Sequence, residues 1–151
     1  MTTPPHNSSQ PTPPPPDRSH IATEQRNPRT MNLHALSVHE CVEAIQREDR
    51  AVMDAMARAA GALSEFIAAA EPGFLGGGRL IYLGAGTSGR LGVLDASEAP
   101  PTFQVEPDRI IGIIAGGDGA LRKSSESKED DPDGAVPQLR DLVLNERDTV
   151  I

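Results

Sequence analysis

The sequence predicts an α/β fold in which N-terminal helices lead into a partial parallel sheet. Three observations carry this expectation. Apolar residues recur at helical spacing through the first half of the chain, at Val52, Met56, Ala59, Leu63 and Phe66/Ile67. Two short apolar runs, 79–83 and 109–114, each end in a glycine-rich turn and read as buried strands. Helical sequence separates the two, and strands that alternate with helices build a parallel sheet.

The elements follow in order. Residues 1–22 are low-complexity, with a proline run at 13–16, and eight of the 14 prolines fall in the first 30 positions. Such a stretch buries too little apolar area to offset its ordering entropy, so a disordered Pro-rich tail is expected. The proline run is either a polyproline ligand for a partner or a solvated tail. Segment 23–72 is expected to be helical. Ser37 and Glu40 have capping-box spacing, so a short helix starts at Val38 and runs to about Glu48. A longer one continues through Ala70, and Pro72-Gly73 end it. Its apolar stripe reads as core or subunit contact rather than a Met-lined groove. Residues 73–151 carry the sheet: a turn at Gly76-Gly77-Gly78, the first strand, a helix from Ser88 to about Ala96, and the second strand. Acidic helical sequence follows, and a third strand begins at Asp148-Thr149-Val150-Ile151.

Composition removes several classes of function. The 151 residues hold 14 basic and 22 acidic side chains, a net charge of −8, with three Phe, one Tyr and no Trp. Neither a basic face nor an aromatic stacking platform is available, so no nucleic-acid partner is expected. A lone Cys41 allows no intrachain disulfide and no Cys-based zinc site. His6, His20, His34 and His39 lie outside the α/β segment without partners at ligand spacing, so no metal is expected. No apolar run approaches the roughly 20 residues of a membrane span. The N-terminus also lacks a basic-then-apolar signal pattern. The expected compartment is a reducing cytoplasm.

Chemistry concentrates in Gly84-Ala85-Gly86-Thr87-Ser88-Gly89, a G-x-G-x-x-G loop that follows a strand and opens a helix. A dinucleotide site also wants an acidic residue at the end of the second strand, to hold a ribose. Here that strand ends in Ala115-Gly116-Gly117, and Asp118 comes later. The loop carries two adjacent hydroxyls, Thr87 and Ser88, with Arg90 behind them. Hydroxyls and free N–H groups at a helix N-terminus suit a terminal phosphate monoester, whose several oxygens all need donors. The loop therefore favours a small phosphorylated ligand over a dinucleotide, and either over a turn that binds nothing.

Two acidic features are candidate acids and bases. Glu98 lies in Asp95-Ala96-Ser97-Glu98-Ala99-Pro100-Pro101-Thr102, where the proline pair is expected to stop the helix and stiffen the backbone. A carboxylate on a rigid turn in an otherwise apolar stretch suits a general acid. The same residue also reads as a surface Glu at a helix end. Glu126 and Glu129, in Glu126-Ser127-Lys128-Glu129-Asp130-Asp131, share a helix face and read as a solvated charge run or as part of a cleft.

The 26-residue run from Gly78 to Phe103, with Thr23-Glu24-Gln25-Arg26-Asn27-Pro28 before it and Ile114-Ala115-Gly116-Gly117 after it, closely resembles the N-acetylmuramic acid 6-phosphate etherases. That resemblance covers residues 23 to 151. It implies a sugar isomerase (SIS) domain, partial here because the family continues past the third strand into further strands and helices. It also implies a homodimer, a phosphorylated amino sugar as substrate, and cleavage of a D-lactyl ether in cell-wall recycling without a cofactor. Carried over by position, Glu98 resembles the acid that protonates the departing lactate, and Glu129 the second catalytic carboxylate. Gly84, Gly86, Thr87, Ser88, Gly89, Arg90 and Ser97 then bind substrate. The sequence departs from the family where Lys123 to Lys128 is more polar than usual, which leaves Glu126 as the alternative to Glu129, and at Pro137. Two other readings follow: a non-catalytic sugar-phosphate sensor of the same fold, and a nucleotide-dependent oxidoreductase read from the glycine loop alone.

Overall fold

The computed structural model describes His20, residues 25–123, Asp131 and residues 133–151. The tail expected over 1–22 falls outside them, His20 apart, as do Glu126 and Glu129. The chain divides into two compact units, one ending at Ala57 and one running from Arg58 to Ile151.

In the first unit, Asn27 caps a 3-10 turn over Pro28–Thr30, its Oδ1 accepting the Arg29 N–H at 3.0 Å. Its Nδ2 donates to Glu48 at 2.7 Å, and the Arg29 guanidinium reaches the same carboxylate at 2.5–3.0 Å. Helix α1 spans Val38–Leu75. Its start is the expected capping box: Glu40 Oε2 accepts the Ser37 N–H at 2.7 Å, and the Glu40 N–H donates to Ser37 Oγ at 3.3 Å.

Helix α1 corrects the expectation of two helices. Between Glu48 and Val52 lie Asp49, Arg50 and Ala51, none a helix breaker, so the helix has no reason to stop. Pro72 also lies inside the helix. Its missing N–H forgoes one bond in the last turn, after which the helix closes in a Schellman motif. The Gly78 N–H donates to Gly73 O at 2.9 Å and the Gly77 N–H to Phe74 O at 3.1 Å, with Gly77 at φ +92°. The stripe residues Val52, Met56, Leu63, Phe66 and Ile67 are 40–60 % exposed, so they are not core of this chain.

The second unit holds strand β1 (Leu80–Gly84), helix α2 (Gly86–Phe103), β2 (Ile110–Ile114), short helices α3 (Gly119–Arg122) and α4 (Val136–Asp141), and β3 (Thr149–Val150). The sheet is parallel with order β2-β1-β3. Leu80 pairs with Ile110 on one side and Thr149 on the other, which places the third strand where the sequence predicts it. Ile81 on the central strand is fully buried, with Ile113, Ile114, Ala96, Ala99 and Ala120 around it in the core. Small residues let α2 settle on the sheet. A Cβ on Gly92 would meet Tyr82 Cβ at 2.8 Å, and one on Gly112 would meet Val93 Cα at 2.5 Å.

Arg79 and Asp148 tie the starts of β1 and β3 together. The Arg79 backbone N–H donates to Asp148 Oδ1 at 2.8 Å and the guanidinium to Oδ2 at 2.6 Å, with the Asp148 side chain only 2 % exposed. The proline pair of α2 is a second correction: the helix runs through Pro100 and Pro101 to Phe103. It stops where Gln104 turns left-handed at φ 54° and its N–H closes on Pro100 O at 2.9 Å. Each proline forgoes one helix bond, and the Gln104 N–H satisfies the Pro100 carbonyl that the helix end would otherwise leave open.

Candidate functional site

The strand order places a crevice. The chain goes from β1 to β2 on one side, then returns to β3 on the other, so the connections diverge above the carboxyl end of β1. Open α/β sheets bind ligands at such a switch point. The loop Gly84–Gly89 occupies it. Gly86 has φ +52°, a backbone region that L side chains seldom adopt. Gly84 and Gly89 lie backbone against backbone, where a Cβ on Gly84 would meet Gly89 N at 2.8 Å. Ala85, the N-cap of α2, offers no side-chain acceptor, so the first-turn N–H groups are left without a side-chain cap. Thr87 and Ser88 are exposed beside them. Donors of this kind converge on an anion.

Ser88 faces a cleft of about 430 Å³ with Leu91, Asp95, Tyr82 and Ile151. The Asp95 carboxylate, hydrogen-bonded beside the Tyr82 phenol, and partial burial push that phenol up to about 12, so it stays a neutral donor. Sequence reasoning passed over this pair. The available signal was the Ser88-to-Asp95 spacing, two helical turns on one face.

The other candidates are distributed more widely. Ser97 and Glu98 are exposed near the far end of α2, ten residues and about 15 Å along the axis from Ser88 for Glu98. The Ser97 hydroxyl donates back to Leu94 O at 2.7 Å. Arg90, expected at the ligand, reaches instead across to α3, with Nε donating to Leu121 O at 3.3 Å and Nη2 to Lys123 O at 3.5 Å. Those carbonyls immediately precede the stretch that contains Glu126 and Glu129. Among the described residues, no three His, Cys, Asp or Glu side chains group as metal ligands. No described helix is long and apolar enough to cross a membrane.

The fold and loop define a sugar isomerase domain, and the comparison of families agrees. Residues 58–151 match the glucokinase regulatory protein N-terminal SIS domain, and the chain belongs to that family. Its relatives include proteins named N-acetylmuramic acid 6-phosphate etherase. The one from Pectobacterium atrosepticum is 51 % identical over 131 residues, covering 87 % of this chain and 43 % of the relative. That from Caldanaerobacter subterraneus subsp. tengcongensis is 49 % identical over the same length and shares. That from Gloeobacter violaceus is 48 % identical over 136 residues, covering 90 % of this chain and 44 % of the relative. The chain thus spans less than half the length of these relatives.

Proposed function

We propose that the chain acts, as its relatives' name describes, on the ether of N-acetylmuramic acid 6-phosphate. It would release D-lactate and N-acetylglucosamine 6-phosphate in the cytoplasm as part of amino-sugar recycling, working as a homodimer. The observation that carries the reading is the 26-residue run 78–103, which folds as strand, glycine loop and helix at the switch point of the sheet. The chemistry follows from the substrate. In the open-chain sugar, the C2 proton is acidic because it neighbours the C1 aldehyde. A carboxylate, Glu129 or its alternative Glu126, takes that proton. Glu98 protonates the C3 ether oxygen as lactate leaves, and water adds to the unsaturated aldehyde to restore the C3 hydroxyl. Each proton transfer is typically worth roughly 10²–10⁴ in rate. Thr87, Ser88 and the loop N–H groups hold the 6-phosphate.

A second reading is a sugar-phosphate-binding regulator without catalysis. Membership in a family named for a regulatory protein favours it. Incubation of the purified chain with N-acetylmuramic acid 6-phosphate and assay of D-lactate separates the two, with a full-length relative as positive control. Lactate release supports the etherase. Saturable phosphosugar binding without lactate supports the regulator.

A further inference from the structure

We propose that Asp95 accepts the C4 hydroxyl of the sugar whose phosphate the glycine loop holds, so that the cleft beside α2 recognises the sugar as well as its phosphate. The inference deepens the reading above and rests on its placement of the phosphate at the loop. Ser88 and Asp95 line one cleft of about 430 Å³, with Leu83, Leu91 and Ile151 as its apolar wall. The two polar residues lie two turns apart on one face of α2, about 10 Å along the axis at about 1.5 Å per residue. A hydroxyl that donates to a phosphate oxygen lies about 3 Å from it. Five bonds then join phosphorus to the C4 oxygen of a hexose 6-phosphate, a span of at most about 6 Å. A second hydrogen bond of about 3 Å completes the path to the carboxylate. A sugar laid along α2 from Ser88 therefore brings its C4 hydroxyl to Asp95.

The surroundings of Asp95 suit that contact. Its side chain is exposed to the cleft, open to a bound sugar. Tyr82 faces α2 from the central strand, packed against Gly92. Its phenol stays protonated up to about 12 and donates to the Asp95 carboxylate. A carboxylate has about four acceptor positions, so the phenol orients it and leaves capacity for a sugar hydroxyl. Tyr82 is thus a positioning residue and Asp95 the contact. Glu98 follows Asp95 by three residues, a neighbouring position on the helix surface. A sugar fixed at its C4 hydroxyl turns the adjacent C3 ether towards that acid. A carboxylate gains from a hydroxyl donor and repels a bare phosphate, so the same contact separates phosphosugars from inorganic phosphate.

Calorimetric titration with N-acetylglucosamine 6-phosphate and with inorganic phosphate tests the contact without activity. The unaltered chain should bind the sugar phosphate at least about tenfold more tightly than phosphate. Asp95→Ala should weaken the sugar phosphate by roughly 10–100-fold and leave inorganic phosphate within about twofold. Tyr82→Phe, which removes only the hydroxyl, should weaken the sugar phosphate several-fold and spare phosphate. The 4-deoxy sugar phosphate should bind the unaltered chain weakly and lose nothing further in Asp95→Ala, a result that a merely structural carboxylate would not give. Asp95→Asn, which keeps the shape, repeats the series if Asp95→Ala folds poorly by circular dichroism. Equal affinity of the unaltered chain for both ligands, full sugar affinity in the Asp95 variants, or an equal loss of phosphate affinity overturns the inference. The lactate assay keeps it apart from the reading it rests on. Sugar selectivity that depends on Asp95 without lactate release removes the etherase reading and keeps the contact. Lactate release with an unchanged KM in Asp95→Ala removes the contact alone.

Discussion

A methyl group on Gly89 would lie 2.7 Å from the Gly84 carbonyl oxygen and 2.7 Å from Ile114 Cγ1. Both neighbours belong to strands of the sheet, so neither yields without moving it. Gly89→Ala should cost about 1–3 kcal/mol of stability, read from denaturant melts, and weaken phosphosugar binding by distorting the loop. Asp148 makes a second prediction at this scale. The Arg79 guanidinium beside it holds the carboxyl well below the usual carboxylate range. A depressed folded-state pKa gives stability that is present above the ordinary value of 3.8 and lost as pH falls below it. Asp148→Asn should destabilise by about 2–3 kcal/mol at neutral pH and flatten the acid limb of the stability curve. The glycine loop was legible in the sequence because each of its glycines answers a local backbone demand. The Tyr82–Asp95 pair was not, because it joins a strand to a helix and only packing brings the two together.

The elements divide in the same way. The start of α1 was legible because Ser37 and Glu40 act within one turn. Its length was not, because a helix end is decided by the whole last turn. Pro72 loses one bond there, but the Gly73–Gly78 closure, with Gly77 at φ +92°, carries the stop three residues further. Helix α2 passes through Pro100 and Pro101 for the same reason, ended by the left-handed Gln104 rather than by the prolines. The N-terminal turn supplies an element-scale prediction. Hydrogen bonds from Arg29 and Asn27 bring the Glu48 carboxyl down to about 2. The link between the Pro28–Thr30 turn and α1 should therefore persist above pH 4.5, the ordinary value, and be lost as pH falls towards 2. The Arg29 Nε–H and Asn27 side-chain resonances report it directly, and Glu48→Gln should release both at neutral pH.

At the scale of the molecule, three parallel strands in the order β2-β1-β3 put the glycine loop above the carboxyl end of the central strand. The fold class was legible because apolar runs and helical periodicity alternate. Glu129 and Glu126 lie outside the described residues, so the second carboxylate rests on resemblance alone. The central claim is catalytic, and D-lactate release from N-acetylmuramic acid 6-phosphate measures it most directly. The chain should produce D-lactate, and Glu98→Gln should lower that rate by roughly 10²–10⁴. Phosphosugar binding with no lactate from the unaltered chain, while a full-length relative is active beside it, would contradict the claim.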